Sequence, residues 1–235
     1  MAARATGFAG TAAVALVVSA VALVTVAHAA VVQLTGSTLF ATRLTTGSAV
    51  PPPLVTEDFS VGGNLGGRTA SNGNVWTALP SSNRWRVQNG VATSRGDANA
   101  SAFVDVGRSQ ATVSVVLRPG SERNAGVVLN ANTAGTVAVH VLYRAGGTIE
   151  LRLRGLSGTT PQTIATVGVT PTGQPVTLEV TMGAGGVLTV RFAGSLVGTR
   201  TLAAADWALL SSNTRFGLAA DADADTTFDD FAVRP

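Results

Sequence analysis

The chain has 235 residues, enough for one domain with an appendage, and carries 12% charged and 5% aromatic residues with a formal charge of +3. It has no Cys, which excludes a disulfide framework, thiolate zinc sites and a cysteine nucleophile. All sixteen basic residues are Arg, scattered rather than clustered, so the electrostatic footprint of a nucleic-acid binder is absent and no nucleic-acid partner is expected.

In chain order, residues 7–32 (GFAGTAAVALVVSAVALVTVAHAAVV) contain no Asp, Glu, Lys or Arg. Arg4 and the terminal amine form a short positive start, and Ala27-His28-Ala29 fits the small-x-small rule for cleavage before Ala30. An apolar run of about 20 residues also suffices to span a bilayer uncleaved. Residues 1–29 are therefore expected to be a signal peptide or a hydrophobic anchor helix. The bulk of the protein is expected to be extracytoplasmic, either secreted or held at the outer face of the cytoplasmic membrane. His28 belongs to the cleavage region. Residues 30–55 form a Thr/Ser/Pro-rich linker ending in Pro51-Pro52-Pro53, a semi-rigid extended spacer. The domain proper is assigned to residues 56–235.

From Glu57 onward the sequence alternates with a period of two. Val137, Val139, Val141 and Tyr143 share one strand face. Ile149, Leu151 and Leu153 oppose Glu150, Arg152 and Arg154, and Val176, Leu178, Val180 and Met182 oppose Thr177, Glu179 and Thr181. Such runs are half-buried strands. Gly-containing turns separate them at roughly 8–12 residues, the spacing of a sandwich. About a dozen strands are expected, too many for a simple immunoglobulin domain and suited to a large jelly roll. The one helical candidate is LAAADWALL, residues 202–210, with Trp207 as its anchor. The fold class is all-β, a two-sheet antiparallel jelly-roll sandwich.

The order of signposts carries a resemblance. EDFS (57–60) is followed by WTALPSSNRWRVQNGVATS (76–94) and AGVVLNA (125–131), then by LTVRFAG (188–194), RFGLAA (215–220) and FDDFAV (228–233). Over about residues 56–235 this resembles the concanavalin A-like lectin/glucanase jelly rolls, in particular the laminin-G-like bacterial domains. One departure is Ala193-Gly194, where such domains often carry Asp-Gly. Gly still supplies a positive φ for the turn.

The resemblance includes laminarinase-type glycosidases, whose paired carboxylates lie on one strand as Glu-x-Asp-x-x-Glu. None of the four Glu (Glu57, Glu122, Glu150, Glu179) starts that pattern. Retaining glycosidases need carboxylates about 5–5.5 Å apart, so a non-catalytic module is expected. The only His beyond the N-terminal segment is His140, in a strand and without a nucleophile elbow to serve. GGNLGGR (62–68) lacks the strand-before, helix-after context of a phosphate loop.

Five acidic residues crowd the end of the chain. Asp221, Asp223 and Asp225 begin like an EF-hand loop, but Thr226 and Ala232 stand where Gly and Glu are required. They read as a polar turn. The resemblance also implies a structural calcium where first and last strands meet, held by Asp230 and Asp229 with Glu57 or Asp58. The alternative is that these carboxylates serve backbone amides. Carboxylates and carbonyls are the oxygen ligands that calcium takes.

Ligand binding in the resembled group uses a concave sheet or its rim. Sugars stack on aromatic faces and accept hydrogen bonds from planar polar groups. Trp85 and Tyr143 read as core. Trp76, after SNGNV, is open to a core or a sugar-stacking role. His140, Arg144, Arg152, Arg154 and Arg191 lie on wet strand faces and would form an Arg-rich surface for polar or anionic glycans if their strands align. If they do not, they are ordinary solvated faces with weak ion pairs. The expected function is carbohydrate binding at the cell surface. The alternative is a structural surface or matrix protein that uses the sandwich for protein–protein contacts.

Overall fold

The alternating runs form strands, as their period requires. β1 to β5 are short: Val55–Glu57, Gly63–Asn64, Thr77–Leu79, Trp85–Gln88 and Val91–Ser94. β6 to β10 are Ala100–Asp105, Ala111–Arg118, Ala125–Ala131, Ala138–Arg144 and Thr148–Arg154. β11 to β16 are Gln162–Thr166, Val176–Met182, Val187–Phe192, Ser195–Thr201, Arg215–Ala220 and Thr227–Arg234. The structure is a computed structural model, and it describes residues 51–95, 100–118, 124–144, 146–156, 174–220 and 226–235, with the backbone alone for 162–166. The expected signal or anchor (1–29), most of the linker, and the Asp221, Asp223 and Asp225 turn lie outside the described residues.

Residues Ala49–Pro235 make one compact unit of two antiparallel sheets. The nine-stranded sheet runs β14-β13-β12-β7-β16-β5-β4-β2, with β1 also paired to β16. The seven-stranded sheet runs β11-β10-β9-β8-β15-β6-β3. The sixteen strands among the described residues exceed the expected dozen because β1 to β5 have only two to four residues each. Runs that short carry no readable alternation.

The two inner faces meet in one core. Val113, Val115, Leu117, Leu178, Val180 and Val190 come from the nine-stranded sheet, and Val127, Val141, Ile149, Leu151 and Leu218 from the seven-stranded one. Tyr143 of β9 stacks on Phe192 of β13 across the sandwich, with centroids 4.7 Å apart and planes at 20°. Helix α1, Ala204–Leu210, is a short run of Ala and Leu with Asp206 in its first turn, where a carboxylate complements the helix dipole. Its Trp207 is half-buried against the core, and a Cβ at Gly186 would lie 3.1 Å from the Trp207 Cβ. Gly186 also adopts φ 77°, so a side chain there would be strained where the helix docks.

The closing FDDF shows how the last strand is fitted. Phe228 and Phe231 are both buried, at 0% and 1% exposure, although residues three apart in a regular strand face opposite ways. A bulge at Asp229–Asp230 resolves the conflict: the register against β7 shifts there, and Asp230 adopts φ 48°. The bulge is also where β16 exchanges partners. Before it, Thr227 and Phe228 pair with β5, and after it Phe231 to Val233 pair with β1. Phe228 then meets Trp85 edge-on, and Phe231 meets Trp76.

Trp76 is thereby corrected as a sugar-stacking candidate. It is 1% exposed, with centroids 5.1 Å from Phe231, and offers no ring face to a ligand. Its contact partner lies over a hundred and fifty residues away, so the preceding Gly- and Asn-rich stretch could not announce its burial.

Candidate functional site

Part of the seven-stranded sheet is buried on both sides. On its outer face, Phe103, Val128, Ala131, Ala138, Leu142 and Ala219 form a second apolar cluster, with Leu79 packed against it. These residues alternate with core residues along β6, β8, β9 and β15. The segment between β8 and β9 covers one end: a Cβ at Gly135 would strike Leu79 Cδ1 and come within 3.2 Å of Phe103 Cε1. The Asn132 side chain folds that segment, accepting from the amides of Thr136 at 2.8 Å and Val137 at 3.2 Å. The sheet floor needs small residues. A Cβ at Gly217 would strike the Ala102 carbonyl and lie 2.6 Å from Phe103 Cα, and one at Gly126 would strike the Val141 carbonyl.

Beside this cluster, β9 and β10 form a hairpin whose register sets Arg144 opposite Thr148, Leu142 opposite Glu150, His140 opposite Arg152 and Ala138 opposite Arg154. The antiparallel pairing brings His140, Arg144, Arg152 and Arg154 onto one outer strip. Glu150 lies at its centre, but its side chain is only 3% exposed, not on an open wet face as its alternation implied. Two guanidiniums enclose it. Arg152 Nε donates to Oε1 at 2.8 Å, and Arg144 Nη1 lies 3.2 Å from Oε2. The second contact is ionic, since Oε2 accepts no well-aligned hydrogen bond. Arg144 Nε also donates to the buried Asn124 Oδ1 at 3.1 Å. Asn124 could not be singled out from sequence, because it meets Arg144 only through the pairing of β8 with β9.

Arg191 is a correction. It stands on β13 of the other sheet, directly opposite Glu179, with an exposed contact of 3.8 Å. Alternation shows that a strand has a wet face but not which sheet the strand joins. A second ion pair does occupy the outer face of the seven-stranded sheet: Arg215 Nη2 lies 3.4 Å from Asp105 Oδ2, and Asp105 Oδ1 accepts from Thr214 at 2.7 Å. The outer apolar cluster and this pair escaped sequence reasoning. The near-continuous apolar run of β8, AGVVLNA, interrupted only by Asn130, carried the signal, since two-sided burial produces such runs.

Three of the four residues considered for calcium, Glu57, Asp58 and Asp229, accept hydrogen bonds from backbone amides. Among the described residues, no group of three or more acidic or His side chains is placed to hold an ion. Glu57 Oε1 accepts from the Phe59 amide at 3.2 Å and lies 3.8 Å from Arg68 Nη1. Asp58 Oδ1 accepts from the Ser60 amide at 3.0 Å, and this hydrogen bond, with that of the Ser60 hydroxyl, holds the Asp58 carboxyl below its ordinary range. Asp229 Oδ1 accepts from the Asp230 amide at 2.8 Å within the bulge.

Nor do the described acids of the outer face form a glycosidase pair. Glu150 on β10 and Asp105 on β6 are separated by four strand steps, about 19 Å along the sheet. The two geometries of such pairs need about 5–9.5 Å.

No family model matches the sequence, and no curated protein matches it. Solved structures do match in shape. The carbohydrate-binding module CBM66 from Bacillus subtilis aligns with a TM-score of 0.52 at 12% identity, over 68% of this chain and 95% of that one. SCLam, a non-specific endo-β-1,3(4)-glucanase of family GH16, aligns at 0.54 and 13% identity, over 80% and 93%. The GH43 protein BlXynB from Bacillus licheniformis aligns at 0.52 and 14% identity over 76% of this chain, which spans 39% of that protein. At these identities the likeness concerns fold, and with the two-sheet topology it gives this chain the jelly-roll sandwich architecture that those structures share.

Proposed function

We propose that the jelly roll is a non-catalytic carbohydrate-binding module, exported and then either released or tethered through its N-terminal segment. The observation that carries this reading is the β9–β10 strip, where His140, Arg144, Arg152 and Arg154 converge on one sheet face. Planar guanidinium and imidazole groups on a rigid sheet are the kind of polar groups that orient a sugar. Two features support a binding role over a hydrolytic one. Glu150 is enclosed by two arginines, and the nearest described acid on another element of the same face, Asp105, is too far away to act with it. The uncharged run of residues 7–32 supports export. Among the described residues, no helix is long and apolar enough to cross a membrane.

The test is a glycan array probed with the full-length chain, alongside assays for release of reducing sugar from every glycan bound. Retention of one glycan class without hydrolysis is the expected result. Hydrolysis would replace the module with an enzyme. Absence of binding across the array would end the carbohydrate reading and leave a protein-interaction sandwich.

A further inference from the structure

We infer that the β9–β10 strip is a receptor for an acidic polysaccharide, a linear chain bearing uronate carboxylates, with Glu150 as the positioning residue that sets two of its arginines. The inference rests on the carbohydrate-binding reading and adds the ligand class. Three observations point the same way.

The first is charge. Among the described residues, the strip carries the guanidiniums of Arg144, Arg152 and Arg154 against one carboxylate, and that carboxylate is buried beneath them. Farther along the same face, Arg215 and Asp105 offset each other. The excess positive charge among the described residues of this face is therefore local to β9 and β10. Its complement is an anion, and a carboxylate matches the planar fork of Arg.

The second is preorganisation. An exposed arginine ordinarily loses rotamer freedom when it binds. Arg144 is held by Asn124 at 3.1 Å and by Glu150 at 3.2 Å, yet 55% of its side chain stays exposed. Arg152 is fixed at 2.8 Å from the same carboxylate. Glu150 thus aligns the pair from below while remaining out of a ligand's reach.

The third is what the face lacks. Neutral sugars are gripped mainly by stacking on aromatic rings. Among the described residues, the aromatic side chain on this outer face is Phe103, and it is 1% exposed. Trp76 and Tyr143 are buried in the main core. Recognition must then come from charge and hydrogen bonds. From Thr148, opposite Arg144, to Arg154 is six residue steps, about 20 Å of strand, which suits several linked sugars rather than one small anion.

The experiment measures binding of the full-length chain to polygalacturonate and to laminarin, a neutral β-glucan, at low and high salt. Arg144→Gln and Arg154→Gln are compared with Arg191→Gln, which removes the same charge from the opposite sheet. Arg154 is exposed at the end of its strand, so its variant tests the strip without disturbing the core. The expected result is preference for polygalacturonate, weakening with salt, and a loss of about tenfold in each strip variant, as removal of a charge-assisted contact implies. Arg191→Gln should bind as the parent does. Equal loss in all three variants would reduce the effect to net charge and overturn the strip. Preference for laminarin, with silent strip variants, would overturn the acidic ligand and spare the carbohydrate reading. Binding to neither polymer, together with an unresponsive glycan array, would overturn both.

Discussion

Arg152 Nε donates to Glu150 Oε1 at 2.8 Å, and the carboxylate that accepts is only 3% exposed while the arginine stays 27% exposed. A buried carboxylate costs desolvation, which its two arginines offset. Removing it leaves cations that can still turn toward water, so the loss should stay below that of a fully buried pair. Glu150→Ala is expected to destabilise the domain by about 1–3 kcal/mol, and Glu150→Gln by about 1 kcal/mol. Urea unfolding checks this, with a lower midpoint at unchanged slope. An unchanged midpoint would mean that Glu150 is dispensable to the fold.

Tyr143 is the only tyrosine, and the chain has neither Lys nor Cys. Between about pH 9 and 12 it is therefore the one ordinary side chain left to titrate. Burial raises its phenol above the usual 10.0. Below pH 10 the phenol is neutral in both folded and unfolded chains, and its contribution is complete. Above pH 10 the unfolded chain loses a proton that the folded chain keeps. Stability then falls as pH rises, until the folded phenol also ionises. Tyrosinate absorbance should appear at higher pH in the native protein than in urea. Tyr143→Phe, which keeps the stack on Phe192, should abolish this alkaline decline.

The β13–β14 hairpin turns through Ala193 at φ 50° and Gly194 at φ 78°. Both values are positive, the pattern of the two-residue turn that prefers Asn-Gly or Asp-Gly. Alanine is strained there by its Cβ. Ala193→Asn is expected to stabilise the domain by about 0.5–1 kcal/mol, read as a rise in Tm. A fall would show that the strain is relieved in a way the turn geometry does not reveal.

Calcium removal tests the chain terminus. Glu57 is held by Arg68 and the Phe59 amide, and Asp58 and Asp229 serve amides beside them. The expected result is a Tm that EDTA leaves unchanged to within about 1 °C, since loss of a native-state metal would lower it. A clear fall would mean that calcium is bound, with Asp230, Asp229, Asp58 and Glu57 the first to substitute.

Alternation alone specified β9, β10 and β12, because a half-buried strand must repeat every two residues. It placed Val141, Leu151 and Val180 in the core and Arg144, Arg152 and Arg154 on faces away from it. The apolar stretch of LAAADWALL likewise marked the helix. Composition excluded disulfides and thiolate chemistry, because the chain has no Cys. The tertiary structure decided what a period of two cannot encode. Strand pairing sent Arg191 to one sheet and Arg152 to the other. Packing across a bulge buried Trp76 under Phe231 and set the Asp229 carboxylate on the Asp230 amide. Contacts between β8, β9 and β10 sank Glu150 beneath its arginines and gave Arg144 its partner Asn124. Each outcome depends on neighbours brought together only by the fold, and a local pattern holds no information about them.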